Sequence, residues 1–376
     1  MTRRHRESQI SATSSQSMLS DLPNDGRLFV LTGINGSGKT RALSSIAIDA
    51  LDQIRTGTRD ISRLICLSGA ALDKFPDSMK RLSNYEYFGR KANTNMFSEI
   101  KPYRAILRHL ASFDSTYELR AATAKEYLSS IGLEDDIVYK LRRAKGSGQR
   151  TEISSDELSI HARLSDPSCL PILQQALQRL DSGLVHIRGV FLKKKDKLFS
   201  IAELSSGERA YSLAILCLAF ASTPNCFVMY DEPENSLHPK WQSSIVSDLY
   251  DIMNRVSPVF KFVIATHSPL IVSSASNHDT YILDLEGRNE WTRSSLHGNN
   301  ADSVLRSQFR VVSPRSNLFI ALMQQCLQEV SRGTTSSDLF RQSAERLFSL
   351  GVVLKDDDPL YNTYSQLRKI WGGLSV

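Results

Sequence analysis

The chain has 376 residues, of which 41% are hydrophobic and 23% are charged, as in ordinary folded proteins. Its net charge of +6 is mild, so it leaves nucleic acid open as a partner without requiring one. The longest apolar run, Ser212 to Ala221, is about half of the ~20 residues that cross a bilayer, so we expect no membrane partner. Five scattered cysteines without a CxxC pair suit a reducing compartment, and we predict a soluble, cytoplasmic protein.

The N-terminal third begins with a polar stretch and then becomes apolar. Residues 1–22 are rich in serine and lack an apolar h-region, so we interpret them as a flexible arm rather than a secretory signal. From Arg27 a short apolar run ends in glycine and predicts a buried strand, which is followed by helical periodicity over 39–54 and a second strand over 61–68. A strand, a glycine-rich loop, a helix and a strand in that order predict a βαβ unit in a largely parallel sheet.

The remaining chain divides into an insertion, a return of strands and a helical end. Helical periodicity with polar connectors predicts a mainly helical insertion over 75–185. Strands are predicted again by two apolar runs joined by a basic turn at 184–204, and by three further apolar runs at 226–230, 262–266 and 281–285. After residue 290 the chain reads as helices, with apolar residues at helical spacing over 317–330.

A phosphate-binding loop is the strongest motif in the sequence. Residues Gly33–Thr40 match GxxxxGK[ST] in full and lie between a predicted strand and a predicted helix. Lys39 would reach the β- and γ-phosphates of a nucleotide, and the Thr40 hydroxyl would ligate Mg²⁺. Five further residues would fold the loop so that its backbone N–H groups converge on the phosphates: Gly33, Asn35, Gly36, Ser37 and Gly38.

Two carboxylates follow the apolar strand at 226–230. In α/β folds the carboxyl ends of strands carry the ligand sites, so Asp231 and Glu232 would lie beside the phosphate loop. Asp231 would bind Mg²⁺, and Glu232 would orient and deprotonate the attacking water as a general base. Together with the loop, this strand predicts an ATP site that depends on Mg²⁺.

Three further segments, in order along the chain, identify a family. Leu204–Arg209 resembles the ABC signature LSGGQ/E with Ser206 in place of the first glycine, Asp231–Pro239 resembles the form DEPExxLHP, and Ala265–Ser268 resembles the switch-histidine segment. This combination is similar to the soluble ABC heads of chromosome-maintenance, recombination-repair, overcoming-lysogenization-defect and anti-phage defence ATPases. The resemblance covers about residues 27–285. The short runs at 67–76 and 85–91 look like those of Septu and retron defence ATPases.

The resemblance implies an α/β ABC-type P-loop ATPase head over 23–290, interrupted by the insertion and followed by a helical extension over 291–376. It also implies a head-to-tail homodimer that encloses two ATP molecules. In it Ser205, Gly207 and Glu208 of one subunit would contact the nucleotide of the other, and His267 would act as a catalytic switch beside Glu232 and Lys39. The glutamine that the family carries after the second strand is missing, and Asn93 or Asn95 could replace it.

Several other signals favour structural explanations. The run Lys193–Lys197 and the segment Arg142–Lys145 are more typical of solvated loops than of nucleic-acid sites. Asp356–Asp358 lacks partner carboxylates for a nuclease metal site, and the LHP pattern predicts that His238 packs or caps locally.

The combined signals predict an ATP-hydrolysing dimeric switch that controls a separate effector, a nuclease or toxin, in bacterial anti-phage defence, or that acts on DNA. A DNA-repair head, a non-hydrolysing ATP-gated scaffold and a transporter subunit are the alternatives.

Overall fold

The structure is a computed structural model that describes residues 19–70, 73–76, 82–93, 96–112, 114–144, 157–275, 279–286, 290–294, 317–352, 354, 358 and 360–374. Its strands are β1 (Leu28–Thr32), β2 (Arg63–Ser68), β3 (Tyr85–Tyr87), β4 (Lys91–Asn93), β5 (Met96–Phe97), β6 (Asp136–Arg143), β7 (Glu157–Arg163), β8 (Val185–Lys194), β9 (Lys197–Ser200), β10 (Cys226–Asp231), β11 (Phe260–Ala265), β12 (Thr280–Asp284) and β13 (Thr292–Arg293). Its helices are α1 (Lys39–Thr56), α2 (Lys101–Leu110), α3 (Tyr117–Ser130), α4 (Leu170–Asp181), α5 (Ser206–Ala221), α6 (Pro239–Gln242), α7 (Ile245–Val256), α8 (Pro269–Ala275), α9 (Asn317–Ser331), α10 (Asp338–Ser349) and α11 (Tyr361–Leu374).

A seven-stranded sheet in the order β13-β12-β1-β11-β10-β2-β3 organises the first of two units, Met1–Arg310. All neighbours pair in parallel except β13, which is antiparallel to β12. The strands predicted at 61–68, 226–230, 262–266 and 281–285 are therefore confirmed as β2, β10, β11 and β12. Parallel pairing brings the carboxyl ends of β1, β2, β10 and β11 to one edge of the sheet.

Helices cover both faces of this sheet, as a parallel sheet requires. Side chains alternate along β1, so that Leu28 and Val30 join the core shared with α5 and α7, while Phe29 and Leu31 join the core shared with α1. Helices α1 and α5 consequently pack against opposite faces of the sheet. Among the described residues there is no helix with the length and hydropathy needed to span a bilayer.

The insertion predicted over 75–185 contains the expected helices α2, α3 and α4, but it also contributes strands that the periodicity did not predict. Strand β3 extends the central sheet, and β4 pairs with β5. Strands β6 and β7 combine with β8 and β9 in a four-stranded antiparallel sheet of order β7-β6-β8-β9. We call this the small sheet. Its apolar side chains belong to the same continuous core as α5 and α7.

Both predicted ends of the ATPase domain need correction. Leu19 and Leu22, assigned to the flexible arm, are buried in the core beside α1, while residues 1–18 lie outside the described part of the chain. At the other end, β13 pairs with β12, and Trp291 packs edge-on against Phe29. The first unit therefore includes residues assigned to the helical extension, because these apolar side chains bury surface against the sheet.

The second unit, Val311–Val376, contains the predicted C-terminal helices α9, α10 and α11. Its core is built from one face of each helix and includes Phe319, Phe340 and Leu367. Ser337 caps α10 by accepting a hydrogen bond from Phe340 N at 3.1 Å. Of the six spaced apolar positions over 317–330, Leu327 is exposed.

Arg120 of α3 is predicted to be essential for joining the insertion to α5. Its Nη1 donates to the carbonyl oxygens of Ala219 at 2.9 Å and Phe220 at 3.3 Å, which lie in the last turn of α5 and lack helical partners. Because Arg120→Met leaves buried carbonyls unsatisfied, we expect it to lower the free energy of unfolding by about 3 kcal/mol, measured by urea denaturation.

Arg108→Met is the matched control for this substitution. Arg108 pairs with Asp181 at 2.9 Å on the surface, with about half of each side chain exposed. Surface pairs contribute at most about 1 kcal/mol. Equal destabilisation by both substitutions would contradict the role assigned to Arg120.

Candidate functional site

The loop between β1 and α1 has the backbone of a phosphate cradle. Gly36 and Gly38 adopt φ values of 87° and 100°, a region that residues with side chains rarely occupy. A Cβ atom built at either glycine would meet no atom within 4 Å, so backbone conformation rather than crowding requires glycine there. Gly38 caps α1, whose first N–H groups are free to bind an anion.

Lys39 lies under this loop and is bound to it. Its Nζ donates to the carbonyl oxygens of Gly33 at 2.7 Å and Ile34 at 2.9 Å, and the residue is 5% exposed. Burial lowers the pKa of Lys39, while the nearby carboxylates of Glu232 and Glu234 oppose that shift. The ammonium group therefore sits in an acidic environment with the loop carbonyls as its partners.

Asp231 ends β10 with a fully buried carboxylate. Its Oδ1 accepts a hydrogen bond from Thr40 Oγ1 at 3.3 Å, whereas its Oδ2 is buried without a partner among the described residues. Burial, followed by the charge of Glu232, raises the pKa of Asp231 to about 7. An unsatisfied carboxylate oxygen beside a hydroxyl fits Mg²⁺, which binds through one or two protein oxygens together with water and phosphate.

Glu232 follows in a left-handed backbone conformation with φ of 50°, which is strained for a residue with a side chain. Its N–H donates to Ala265 O at 2.8 Å, and its Oε2 accepts from Asn235 Nδ2 at 2.6 Å. About a quarter of the side chain is exposed. Glu232 is therefore held at the sheet edge with access to solvent, as a general base requires.

Glu234 positions the predicted switch histidine, a role that the sequence did not reveal. Its Oε1 accepts hydrogen bonds from Thr266 Oγ1 at 2.7 Å and from His267 N at 2.8 Å. Nδ1 of His267 lies 3.1 Å from the same oxygen and 3.9 Å from Glu232 Oε1. In the sequence, Glu234 was noticeable only as part of the segment 231–239, and that segment does not indicate which residues Glu234 contacts.

Gly69 is a second residue of the site that the motifs missed. It directly follows β2, and its N–H donates to Asp231 O at 2.8 Å. A Cβ atom there would lie 2.1 Å from the backbone oxygen of Glu232, so only glycine allows the two turns to approach so closely. Nearby, the buried Asp73 accepts a hydrogen bond from Tyr87. Of the two residues proposed to replace the missing glutamine, Asn95 lies outside the described residues, and for Asn93, at the end of β4, only the backbone is described.

The predicted signature forms the start of α5. Ser205 caps the helix in a capping box, with Ser205 Oγ accepting from Glu208 N at 3.2 Å and Glu208 Oε2 accepting from Ser205 N at 3.0 Å. The other oxygen of Glu208 binds Lys194, so both of its oxygens are used within the chain. Gly207 is buried, and glycine is required there because a Cβ atom would lie 2.9 Å from both the Trp241 ring and the backbone oxygen of Ser236. Ser205 itself is exposed.

The signals read as structural have local explanations where the structure describes them. Nδ1 of His238 accepts from Lys240 N at 3.2 Å and caps α6, as predicted. Asp358 Oδ1 accepts from Leu360 N at 2.8 Å before α11, while Asp356 and Asp357 lie outside the described residues. Within the described residues, no group of three or more His, Cys, Asp or Glu side chains is arranged to hold a metal ion.

Residues 58–273 match the protein family described as "AAA domain, putative AbiEii toxin, Type IV TA system". The chain belongs to this family. Two curated relatives of this AAA family member bear out its predicted likeness to retron ATPases. It is 30% identical to the Retron Vc95 probable ATPase of Vibrio cholerae serotype O1 biovar El Tor, over 37% of this chain and 30% of that protein. It is 24% identical to the Retron Ec83 probable ATPase of Escherichia coli, over 48% of this chain and 35% of that protein.

The AAA family member thus spans about a third of the length of the curated relatives it matches. Among solved structures, a Smc head bound to the C-winged helix domain of ScpA is similar with a TM-score of 0.36 and 13% identity, over 72% of this chain and 90% of that chain.

The buried Asp231 predicts an unusual dependence of stability on pH. Because its folded pKa of about 7 lies above the ordinary value of 3.8, folding penalises the charged form, and stability is lost as the pH rises through 7. Asp231→Asn should remove this loss, so we expect the variant to exceed the wild type by up to about 4 kcal/mol near pH 8 and by much less near pH 5. Urea denaturation without nucleotide or Mg²⁺ measures both differences.

Glu345→Gln is the control, because Glu345 on α10 is exposed and the substitution removes one negative charge without changing a buried group. A stability difference for Asp231→Asn that stays constant across the pH range would show that the Asp231 carboxyl is not penalised by burial.

Proposed function

We propose that this chain hydrolyses ATP at the sheet edge formed by the P-loop, Asp231 and Glu232, and that a second copy of the chain completes the site. The observation that carries the proposal is the convergence of the Lys39 ammonium, the half-satisfied Asp231 carboxylate and the accessible Glu232 carboxylate at one edge of a parallel sheet. Each group matches one requirement of phosphoryl transfer, namely charge neutralisation, cation binding and activation of water.

In this proposal the residues divide the work as follows. The N–H groups of the P-loop and the Lys39 ammonium would bind the phosphates, and Thr40 and Asp231 would hold Mg²⁺. When bound, Mg²⁺ neutralises charge on the transferred phosphoryl group. Glu232 exchanges its hydrogen bond with Asn235 for one with the attacking water and accepts its proton. His267, oriented by Glu234, lies beside Glu232 in the same site.

The position of the signature supports a composite site. Helices α1 and α5 pack on opposite faces of the sheet, so the N-terminus of α5 lies on the other face from its own P-loop helix. Ser205 and Ser206 are exposed there, and the helix terminus is suited to an anion. A head-to-tail homodimer places this terminus against the phosphates held by the partner, which accounts for an exposed signature.

The biological role that we propose is control of a separate effector protein, a nuclease or toxin, in anti-phage defence. The similarity to two retron ATPases supports this role over a DNA-repair function. Closure of the dimer on ATP would change the affinity for the effector, which is how a nucleotide biases a partner.

Glu232→Gln is predicted to bind ATP without cleaving it, because the amide keeps the shape of the side chain but cannot accept the proton. Loss of a positioned base lowers turnover about 10²–10⁴-fold. Phosphate release should fall by that factor, while light scattering should detect a dimer that persists with ATP. Wild-type turnover in the variant would leave Glu232 without a catalytic role and favour a different base.

Complementation in the same assay tests the composite site. Lys39→Ala and Ser205→Arg should each be inactive, but a mixed dimer would contain one site with an intact P-loop and an intact signature. Equal mixing should therefore restore about a quarter of wild-type turnover if sites act independently in a two-fold dimer. If each site were completed within one chain, mixing the two variants would not restore turnover.

The effector proposal is tested by purifying the protein from its native operon. We expect the product of a neighbouring gene to co-elute. Its yield should differ between Glu232→Gln with ATP, which keeps the dimer closed, and Lys39→Ala, which keeps it open. Equal recovery with both variants would show that ATP does not control the complex.

A further inference from the structure

The small sheet has one face in the core and an opposite face that is mostly polar, on which Val138 is buried between its neighbours. Along β6, Ile137, Tyr139 and Leu141 are buried in the core. Lys140 and Arg142 belong to the opposite face. In the ladder, Lys140 is paired with Gly189 of β8, and Arg142 is paired with His186. We call this opposite face the open face and define it by six positions: Lys140, Arg142, His161, Arg163, His186 and Phe191.

The open face is basic. Arg142, Arg163 and His186 are exposed, as is Arg188, the extra residue of a bulge in β8. Within the described residues, no ion pair joins Lys140 or Arg188 to a carboxylate. Two acids also belong to this face: Asp136 lies 3.5 Å from His161, and Glu157 is opposite Arg142 in the ladder, so cations remain in excess. The open face therefore presents positive charge that the described part of the fold leaves available.

The lysine run at the tip of the hairpin between β8 and β9 behaves differently. Lys193 pairs with Glu134 at 2.9 Å and with Asp196 at 3.0 Å, and Lys194 binds Glu208. These contacts neutralise two lysines of the run 193–197, which agrees with its interpretation as a loop rather than a nucleic-acid site. The available charge thus lies on the sheet rather than at the tip.

An aromatic ring lies within the basic face. Phe191 is half-buried, and its ring lies against Gly189, where a Cβ atom would come within 3.1 Å of a ring carbon. Lys140 Nζ is 4.8 Å from the ring centroid. A partly exposed ring beside cations offers a flat apolar surface of the kind on which an unpaired base stacks.

We propose that the open face binds single-stranded nucleic acid, with its cations contacting phosphates and Phe191 stacking on a base. Cations alone would equally suit a duplex or an acidic protein, but a ring on a sheet face adds contact only for a base that is not already paired. The proposal does not rest on ATP hydrolysis, since the face lies outside the P-loop, Asp231 and Glu232.

The test is fluorescence anisotropy without nucleotide, using a labelled thymidine homo-oligomer and a duplex of equal length. The charge variant combines Lys140→Gln, Arg163→Gln and Arg188→Gln. Its matched control combines three exposed cations of the second unit, Arg341→Gln, Arg346→Gln and Lys369→Gln. We expect the charge variant to reduce the slope of log affinity against log salt by about 2, because each phosphate contact contributes ~0.7, and the control to leave the slope unchanged.

Phe191 variants separate stacking from charge. Phe191→Ala should weaken binding of the single strand about tenfold with the salt slope retained, and Phe191→Tyr should keep wild-type affinity. Far-UV circular dichroism of each variant checks that the sheet is intact.

Three results would each overturn the proposal. The first is that the single strand does not bind at low salt. The second is that the duplex binds with equal affinity and Phe191→Ala has no effect. The third is that the charge variant and its control lose the same amount of affinity. Tighter binding of an acidic polypeptide than of the oligomer would instead identify the open face as a protein interface.

Discussion

The parallel pairing of β10 between β2 and β11 is the constraint on which the candidate site depends. The register aligns Asp231 with Ser68 on one side and with Ala265 on the other, so the turns after all three strands meet at one edge. The backbone hydrogen bonds from Gly69 and Glu232 tie these turns together. A slip of the register by one residue would turn the buried carboxylate of Asp231 to the other face of the sheet and dismantle the site.

Charge at this edge of the sheet is unbalanced. One buried cation, Lys39, is surrounded by the carboxylates of Asp231, Glu232, Glu234 and Glu286. Burial raises the pKa of Asp231 and lowers the pKa of Lys39, and both shifts express the same cost of holding charge away from water. A triphosphate would add further negative charge. The arrangement therefore favours a nucleotide that arrives with a divalent cation over one that arrives alone.

The sequence predicted the parts of the fold that short-range chemistry determines. The P-loop glycines follow from backbone geometry, and β10 with its two carboxylates follows from an apolar run that ends in charge. Two strands of the small sheet, β8 and β9, follow from the runs predicted at 184–204, but β6 and β7 were missed because the period-two pattern of Ile137, Tyr139 and Leu141 is short and follows a helical segment. Gly69 could not be found, because its need for glycine comes from the backbone oxygen of Glu232, which is distant along the chain. Such contacts exist only after folding.

Helix α5 is held at its start by strand β8 and at its end by the insertion. Lys194 binds the capping box at its start, and Arg120 satisfies carbonyl groups in its last turn. The insertion is therefore not an interchangeable module. A chimaera that exchanges it between relatives would need to carry an arginine at the position of Arg120 and to join a host whose β8 has a lysine at the position of Lys194, and covariation at these two positions is the evolutionary record expected of such a joint.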